Sequence, residues 1–379
     1  MLLCVREDNR IKDLIFDTPG TLPGVGSLVI GKVSRVLPGM QAAFILVAPG
    51  EECYMNLEKD KRIFYTSPGA HKTLKAGDEL LVEIKKEASG LKKAAVTTNI
   101  SFPGKTAIIM PGSLTKGVSS KIQGPRRTAL KALLAQADTG HFGVILRTEA
   151  QKASDEDILR EIASLKAECE KTLQNAPMRT ACSLLRKSPP AIYKALLKAP
   201  CDAKITCEGQ EAFDSVKAYM RAHTDVSEDN IVLYTDTYPL GHLLKLPTVI
   251  ENALRKKVFL KHGGFLVIEQ TEALNVIDVN SGRTRVGKKS LDGNLKINLE
   301  AAVMAAEEIR RRNLSGIVLI DFINMASEEE WTLLEQNLKM ELCKDPVPTY
   351  FVDFTKLGLA EITRKKIRKP LNEYLERNF

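Results

Sequence analysis

Apolar residues in this chain follow two rhythms. Between residues 27 and 102 they form short runs, SLVIGKVSRVL, AAFILV, ELLVEIKKE and KAAVTTNI, broken by Pro, Gly and Asn. Runs of that length, bounded by turn residues, predict strands. A set of such small strands suits a five-stranded OB-type barrel. TAIIMPG and FGVILRTEA read as two more strands. The rhythm then becomes helical. ASDEDILREIASLKAECEKTLQNA carries apolar residues at helical spacing behind Ser154 and Asp157, which read as a cap with an acidic first turn. EAFDSVKAYMRAH and LPTVIENALRKK read as helices flanking a strand, NIVLYT. No internal repeat or low-complexity linker separates these parts, so they are expected to pack together rather than be strung out.

Two runs share an unusual ending. EALNVIDVNSGR (272–283) and GIVLIDFINM (316–325) are β-branched, apolar stretches that arrive at one aspartate each, Asp278 and Asp321. Between them Leu299, Ala302, Val303, Ala306 and Ile309 recur at helical spacing, with charge on the other face. A basic last turn, Arg310 to Arg312, suits the helix C-terminus. Strand, helix, strand predicts a right-handed crossover and a parallel pair. Parallel neighbours end on the same side, where open α/β sheets place ligands.

Two adjacent carboxylates repel and stay ionised together only with a cation between them. Few, hard oxygen ligands favour Mg²⁺ or Mn²⁺ held partly by water. Asn280 adds an amide on the same side of its strand. The intervening loop supplies Arg283, Arg285, Lys288 and Lys289. A metal flanked by phosphate-binding cations is equipment for phosphodiester hydrolysis. The plainer alternative is that each aspartate merely ends its strand and supports a turn.

Composition narrows the class. With 379 residues, 44% hydrophobic and 27% charged, the chain can bury real cores and is globular. No apolar run reaches membrane-spanning length, and MLLCVREDNR is too short and too early charged for a signal peptide. Seven cysteines without a CxxC pair predict reduced thiols in a cytoplasmic protein rather than a metal or redox motif. A net charge of +8 suits a polyanionic partner without choosing among RNA, ribosome and lipid surface. The basic tail ITRKKIRKPL reads as a helix, either touching RNA backbone or simply solvated.

GKVSRVLPGMQAAFIL resembles the opening of an S1-type RNA-binding OB fold. HGGFLVIEQTEALNVIDVNSGR, NLEAAVMAAEEIRRRNLSGIVLIDFINM and KLGLAEITRKKIRKPL resemble the catalytic region of the RNase E/RNase G family, nearer to RNase G at the closing segment. KAAVTTNISFPGKTAIIMPG, GVILRT and LYTDTYPLGH match further family segments in the same order, so the resemblance covers essentially the whole chain. It implies a bacterial, cytoplasmic endoribonuclease that cuts single-stranded, A/U-rich RNA with Mg²⁺ and prefers a 5′-monophosphate.

The implied fold is a multi-subdomain α/β chain. Residues 1–25 and 193–258 form an RNase H-like subdomain. An S1-type barrel (26–102) and a 5′-sensor (103–192) are inserted in it, and a DNase I-like catalytic subdomain (259–379) follows. By the same resemblance Asp278 and Asp321 are metal ligands, and Asn280 orients the reacting phosphate. Phe44, Tyr54 and Lys92 match positions that grip RNA on the barrel, and Arg283 and Arg285 of the basic loop, read from the loop itself, are further expected RNA contacts. From the strand pattern alone, Phe44 and Tyr54 could equally be barrel core. Arg147 and Thr148, with Gly104 and Ile108, form the 5′-phosphate pocket, for which a guanidinium and a hydroxyl are suited.

Three departures modify the expectation. Family members continue into a CPxCxGxG zinc link, whereas this sequence ends at NEYLERNF. The expectation is no structural zinc, and a monomer or an oligomer not linked by zinc. Asn324 stands where the family often has a third acid, and VSSKIQGPRR carries fewer basic residues than its counterpart, which softens the expected 5′-end preference. None of His71, His141, His223, His242 and His262 lies in the two aspartate runs, 272–283 and 316–325, which argues against a metal-free, histidine-driven ribonuclease. The competing expectation is a non-catalytic RNA-binding protein that kept the fold. A ribosome-assembly scaffold is a third.

Overall fold

Asp8 and Asn9 turn the first hairpin, β1 (Leu2–Glu7) and β2 (Arg10–Phe16), with φ of 47° and 62°. Outside glycine, Asn and Asp tolerate this left-handed region best. A computed structural model describes the chain except residues 18–21, 60–61, 67–72, 89–91, 201, 224–225, 283–290, 326 and 376–379. The chain forms two units: Met1–Thr18 with Pro190–Phe379, and Pro19–Pro189.

In the second unit, β3 (Leu28–Leu37), β4 (Ala42–Ala48), β5 (Glu51–Asn56), β6 (Glu79–Lys86) and β7 (Ala95–Thr97) form a barrel of order β3-β4-β5-β7-β6. Pairing of β3 with β6 closes it, consistent with an OB fold. Strand alternation sends Val29, Val33, Ala43, Ile45, Cys53, Met55, Val82 and Ile84 inward. A second sheet of β8 (Phe102–Pro103), β9 (Ala107–Met110), β10 (Lys116–Val118) and β11 (Gly143–Leu146) has the order β10-β11-β9-β8. Helices α1 (Gly124–Gln136) and α2 (Asp155–Asn175) cover it through Leu130, Leu134, Ile158, Ile162 and Leu165. The Ser154 hydroxyl accepts from the Asp157 amide at 3.1 Å, the cap expected from sequence. Strand β12 (Leu184–Arg186) then pairs with β3.

The first unit resumes with α3 (Ala191–Leu196), β13 (Ile205–Glu208), α4 (Gln210–His223), β14 (Ile231–Tyr234), α5 (Leu240–Leu243) and α6 (Leu246–Leu254). Ile15 of β2 shares a core with Ile192, Leu196, Val216 and Met220, so the hairpin packs on helices nearly two hundred residues away in sequence.

Last comes a six-stranded sheet, β15 (Lys257–Phe259), β16 (Phe265–Gln270), β17 (Asn275–Asn280), β18 (Gly316–Asp321), β19 (Thr349–Phe354) and β20 (Leu359–Arg364), in the order β15-β16-β17-β18-β20-β19. Between its strands run α7 (Leu291–Arg311) and α8 (Glu328–Leu342), with α9 (Leu371–Leu375) after them. Ala301, Ala302, Ala305, Ile309, Leu334 and Leu338 pack with Leu266, Ile268, Ile277, Val318 and Ile320. Both helices thus cover one face of the sheet.

Two expectations change here. The tail ITRKKIRKPL begins as strand β20 rather than a helix. Its Arg364 is fully buried, with Nε 2.7 Å from Asp345 and Nη1 2.6 Å from Asn313, so it is neither solvated nor available to RNA. Arg310 to Arg312 do more than face a helix terminus. Arg310 bonds Asp13 and Glu7 at 2.7 Å each, and Arg312 bonds Glu308 at 2.6 Å. Arg310, with Arg311 donating to Ile11 O at 3.0 Å, locks α7 to the N-terminal hairpin, while Arg312 braces the helix end itself.

Candidate active site

Strands β17 and β18 are parallel neighbours, and their register pairs Asp278 directly with Asp321. Neighbouring strands lie about 4.8 Å apart. Alternation explains why apolar strands end on carboxylates. Ile277, Val279 and Ile320 point into the core under α7, and the residues between them point to the opposite face. Asp278 is half-buried there and Asp321 exposed. The Asn280 amide donates to Asp278 Oδ2 at 2.6 Å. Among the described residues neither aspartate has an ion-pair partner. Arg283, Arg285, Lys288 and Lys289 lie outside the described residues.

The surrounding turns are held firmly. The Asn298 side chain on α7, fully buried, donates to Ile323 O at 2.7 Å and accepts from Ile323 N at 3.0 Å. Asn294, one turn earlier, donates to Asn324 O at 3.1 Å. Together they fix the segment that leaves Asp321. Across the site, Gly264 has φ +85°, and a Cβ there would sit 2.3 Å from Asn280 O. Only glycine lets this turn lie against the end of β17.

Glu300 of α7 accepts from the amides of Lys261 and His262 at 2.6 and 2.9 Å and pairs with His262 Nδ1 at 2.8 Å. Burial works against the Glu300 charge, but these three donors hold its carboxyl below the usual range. His262 therefore belongs to the same sheet edge as the aspartates, although it lies outside both aspartate runs in sequence. Neither Asn298 nor Glu300 stood out in the sequence, because a polar residue within an amphipathic helix reads as part of its solvent face.

On the barrel, Phe44 and Tyr54 are register partners with ring centroids 6.2 Å apart. Their neighbours Ala43, Ile45, Cys53 and Met55 fill the core, so both rings occupy the outer face. Arg35 lies 4.3 Å and Lys93 5.4 Å from the Phe44 ring centroid. Lys92 is exposed, and it is its neighbour Lys93 that lies over Phe44.

The four residues expected to bind a 5′-phosphate lie on neighbouring segments. Arg147 Nη1 donates to Gly104 O, Ile108 is the register partner of Ile145, and the Thr148 hydroxyl lies 3.3 Å from that of Ser119. Glu161 of α2 organises their loop, accepting from the amides of Lys105 and Thr106 at 2.6 and 2.7 Å. A Cβ at Gly104 would lie 2.5 Å from Glu161 Oε1.

Among the described residues no group of three or more His, Cys, Asp or Glu could hold a metal. The donor set at β17 and β18 is therefore two carboxylates and an amide. That set fits a hard divalent cation that keeps several waters, and does not fit a fully caged one. No helix among the described residues is long and apolar enough to cross a membrane.

The profile described as "Ribonuclease E/G family" matches residues 101–367. The chain is 32% identical to ribonuclease G of Haemophilus influenzae over 366 residues, which is 93% of this chain and 74% of that protein. It is 31% identical to ribonuclease G of Escherichia coli K12 over 370 residues, with the same two shares. Ribonuclease E of Nostoc sp. is 28% identical over 374 residues, covering 96% of this chain and 54% of that protein. With its paired aspartates and its barrel, this chain belongs to the ribonuclease E/G family.

Proposed function

We propose that the protein is a divalent-metal-dependent endoribonuclease that cleaves single-stranded, A/U-rich RNA by phosphodiester hydrolysis. The observation that carries this reading is the register of Asp278 with Asp321, two carboxylates without a protein cation among the described residues. Ribonuclease G and ribonuclease E relatives support the substrate class. Asp278 and Asp321 would hold Mg²⁺ or Mn²⁺. Such a cation supplies Lewis acidity, stabilising charge on a scissile phosphate and making water more acidic.

The chain's own residues do the rest. Asn280 holds Asp278 through its 2.6 Å hydrogen bond. Asn298 and Asn294 hold the segment after Asp321. Phe44 and Tyr54 stack bases, and Lys92 attracts backbone phosphate beside Arg35 and Lys93, which pair with Glu52. Arg147 and Thr148 with Gly104 and Ile108 receive a 5′-monophosphate, which stimulates cleavage. Hydrolysis leaves a 5′-phosphate on the downstream fragment. In this reading the unit built from Met1–Thr18 and Pro190–Phe379 combines RNase H-like and DNase I-like subdomains, and the protein works in the bacterial cytoplasm in RNA processing or decay.

The test is cleavage of a short A/U-rich RNA bearing a 5′-monophosphate. Wild type should cut internally with Mg²⁺, and EDTA or Asp321→Asn should abolish it. RNA binding by wild type without any metal-dependent cleavage would overturn the reading in favour of a non-catalytic RNA-binding protein.

A further inference from the structure

On the face of the six-stranded sheet opposite α7 and α8, β15 and β16 place three residues beside the aspartates. Phe259 and Phe265 are register partners, with ring centroids 6.1 Å apart at 61°. The Lys257 ammonium lies 3.5 Å from the Phe265 centroid and 5.5 Å from that of Phe259. Val258, Leu266 and Ile268 point the other way, into the core under α7. In the next strand Phe265 pairs with Asn280, and Val267 with Asp278. Phe259, Phe265 and Asn280 therefore form one row across three strands, two residues along the strands from Asp278. Phe259 stands two strand spacings, about 10 Å, from Asn280.

Phe259 is 72% exposed. An aromatic ring left in water on an edge strand carries a solvation cost and an aggregation risk. The far edge of the same sheet exposes Tyr350 and Val352, but no cation lies over an exposed ring there among the described residues. A buried protein interface disfavours an ammonium at its apolar centre. A polyanion with flat bases suits both the ring and the charge.

We infer that Phe259, supported by Phe265 and flanked by Lys257, is a base-stacking subsite for single-stranded RNA next to the hydrolytic centre. Phe259 offers its face to a base, and Lys257 neutralises the phosphate leading from that base toward Asn280. This rests on the assignment of Asp278 and Asp321 as the hydrolytic pair, and its effect is to seat the nucleotides flanking the cut.

Binding of a fluorescent, short oligouridylate in EDTA measures the platform without cleavage, and steady-state cleavage in Mg²⁺ measures it at work. Phe259→Ala should raise both Kd and KM about fivefold or more while leaving kcat unchanged. Phe259→Trp should restore both. Lys257→Met should reduce the salt dependence of binding by about one counterion. Tyr350→Ala, at an exposed ring on the other edge, should behave as wild type. An RNA made abasic beside the cut should bind wild type and Phe259→Ala alike. Wild-type affinity and KM in Phe259→Ala would overturn the platform and leave the hydrolytic reading standing. Failure of wild type to cleave, with Phe259-dependent binding in EDTA, would sink the hydrolytic reading and keep the RNA-binding face.

Discussion

The unit β17–α7–β18 treats its carboxylates in opposite ways at its two ends. At the C-terminal end of α7, Glu307 and Glu308 meet Arg10, Lys12, Arg311 and Arg312, and Arg310 meets Asp13 and Glu7. Every one of these acids has a protein cation. At the other end Asp278 and Asp321 face each other with none among the described residues. The first arrangement has its charges paired as folded. The second is complete only with a cation from outside. Paired charges within a core hold elements together, whereas unpaired like charges at a sheet edge mark where something binds.

Substitution should separate the two ends. Asp321→Asn should lower kcat about a thousandfold, the size typical of losing a major electrostatic contact to the reacting group. In EDTA its thermal stability should equal or exceed that of wild type, because a repulsion is removed. Glu308→Ala should do the reverse. It strands Arg312 and takes one of the two acids from Arg311, and should cost about 3–5 kcal/mol in denaturant unfolding. Equal destabilisation by both variants would erase the contrast.

A sharper version concerns Asn298. It touches neither aspartate but clamps the Ile323 backbone through two hydrogen bonds. Asn298→Ala should lower kcat about tenfold to a hundredfold, with a weaker response to Mg²⁺. An unchanged kcat would show that the segment after Asp321 is held by packing alone. On the barrel, Phe44→Ala should weaken RNA binding by about 1–3 kcal/mol without changing kcat under saturation.

Glu300 gives the smallest effect. Folding lowers its pKa, so its hold on the Lys261–His262 turn is complete above the ordinary carboxylate value. That hold is lost as pH falls below it. Glu300→Gln should flatten this acid-side stability loss, read from unfolding midpoints against pH.

The parts legible in the sequence were those set by local periodicity. Short apolar runs between turn residues located barrel strands, helical spacing located α7, and the crossover rule brought Asp278 and Asp321 to one edge. What was not legible depends on partners distant in sequence. Arg364 is buried because Asp345 and Asn313 await it, and nothing within ITRKKIRKPL reveals that. Helix α1 was missed because GPRRTALKALLAQ begins with Gly and Pro and buries only Leu130 and Leu134 among its charges. At the barrel, Lys92 and Lys93 differ by one position in a strand-like segment, and only the fold decides which lies over Phe44. His262 joined the aspartate edge through Glu300, a helix residue thirty-eight positions away.

The most direct test of a cation held by Asp278 and Asp321 is Mn²⁺ binding followed by electron paramagnetic resonance, without RNA. Wild type should bind Mn²⁺ and release it to excess Mg²⁺, and Asp278→Asn and Asp321→Asn should each lose that binding while remaining folded. Undiminished Mn²⁺ binding in both variants would contradict the account.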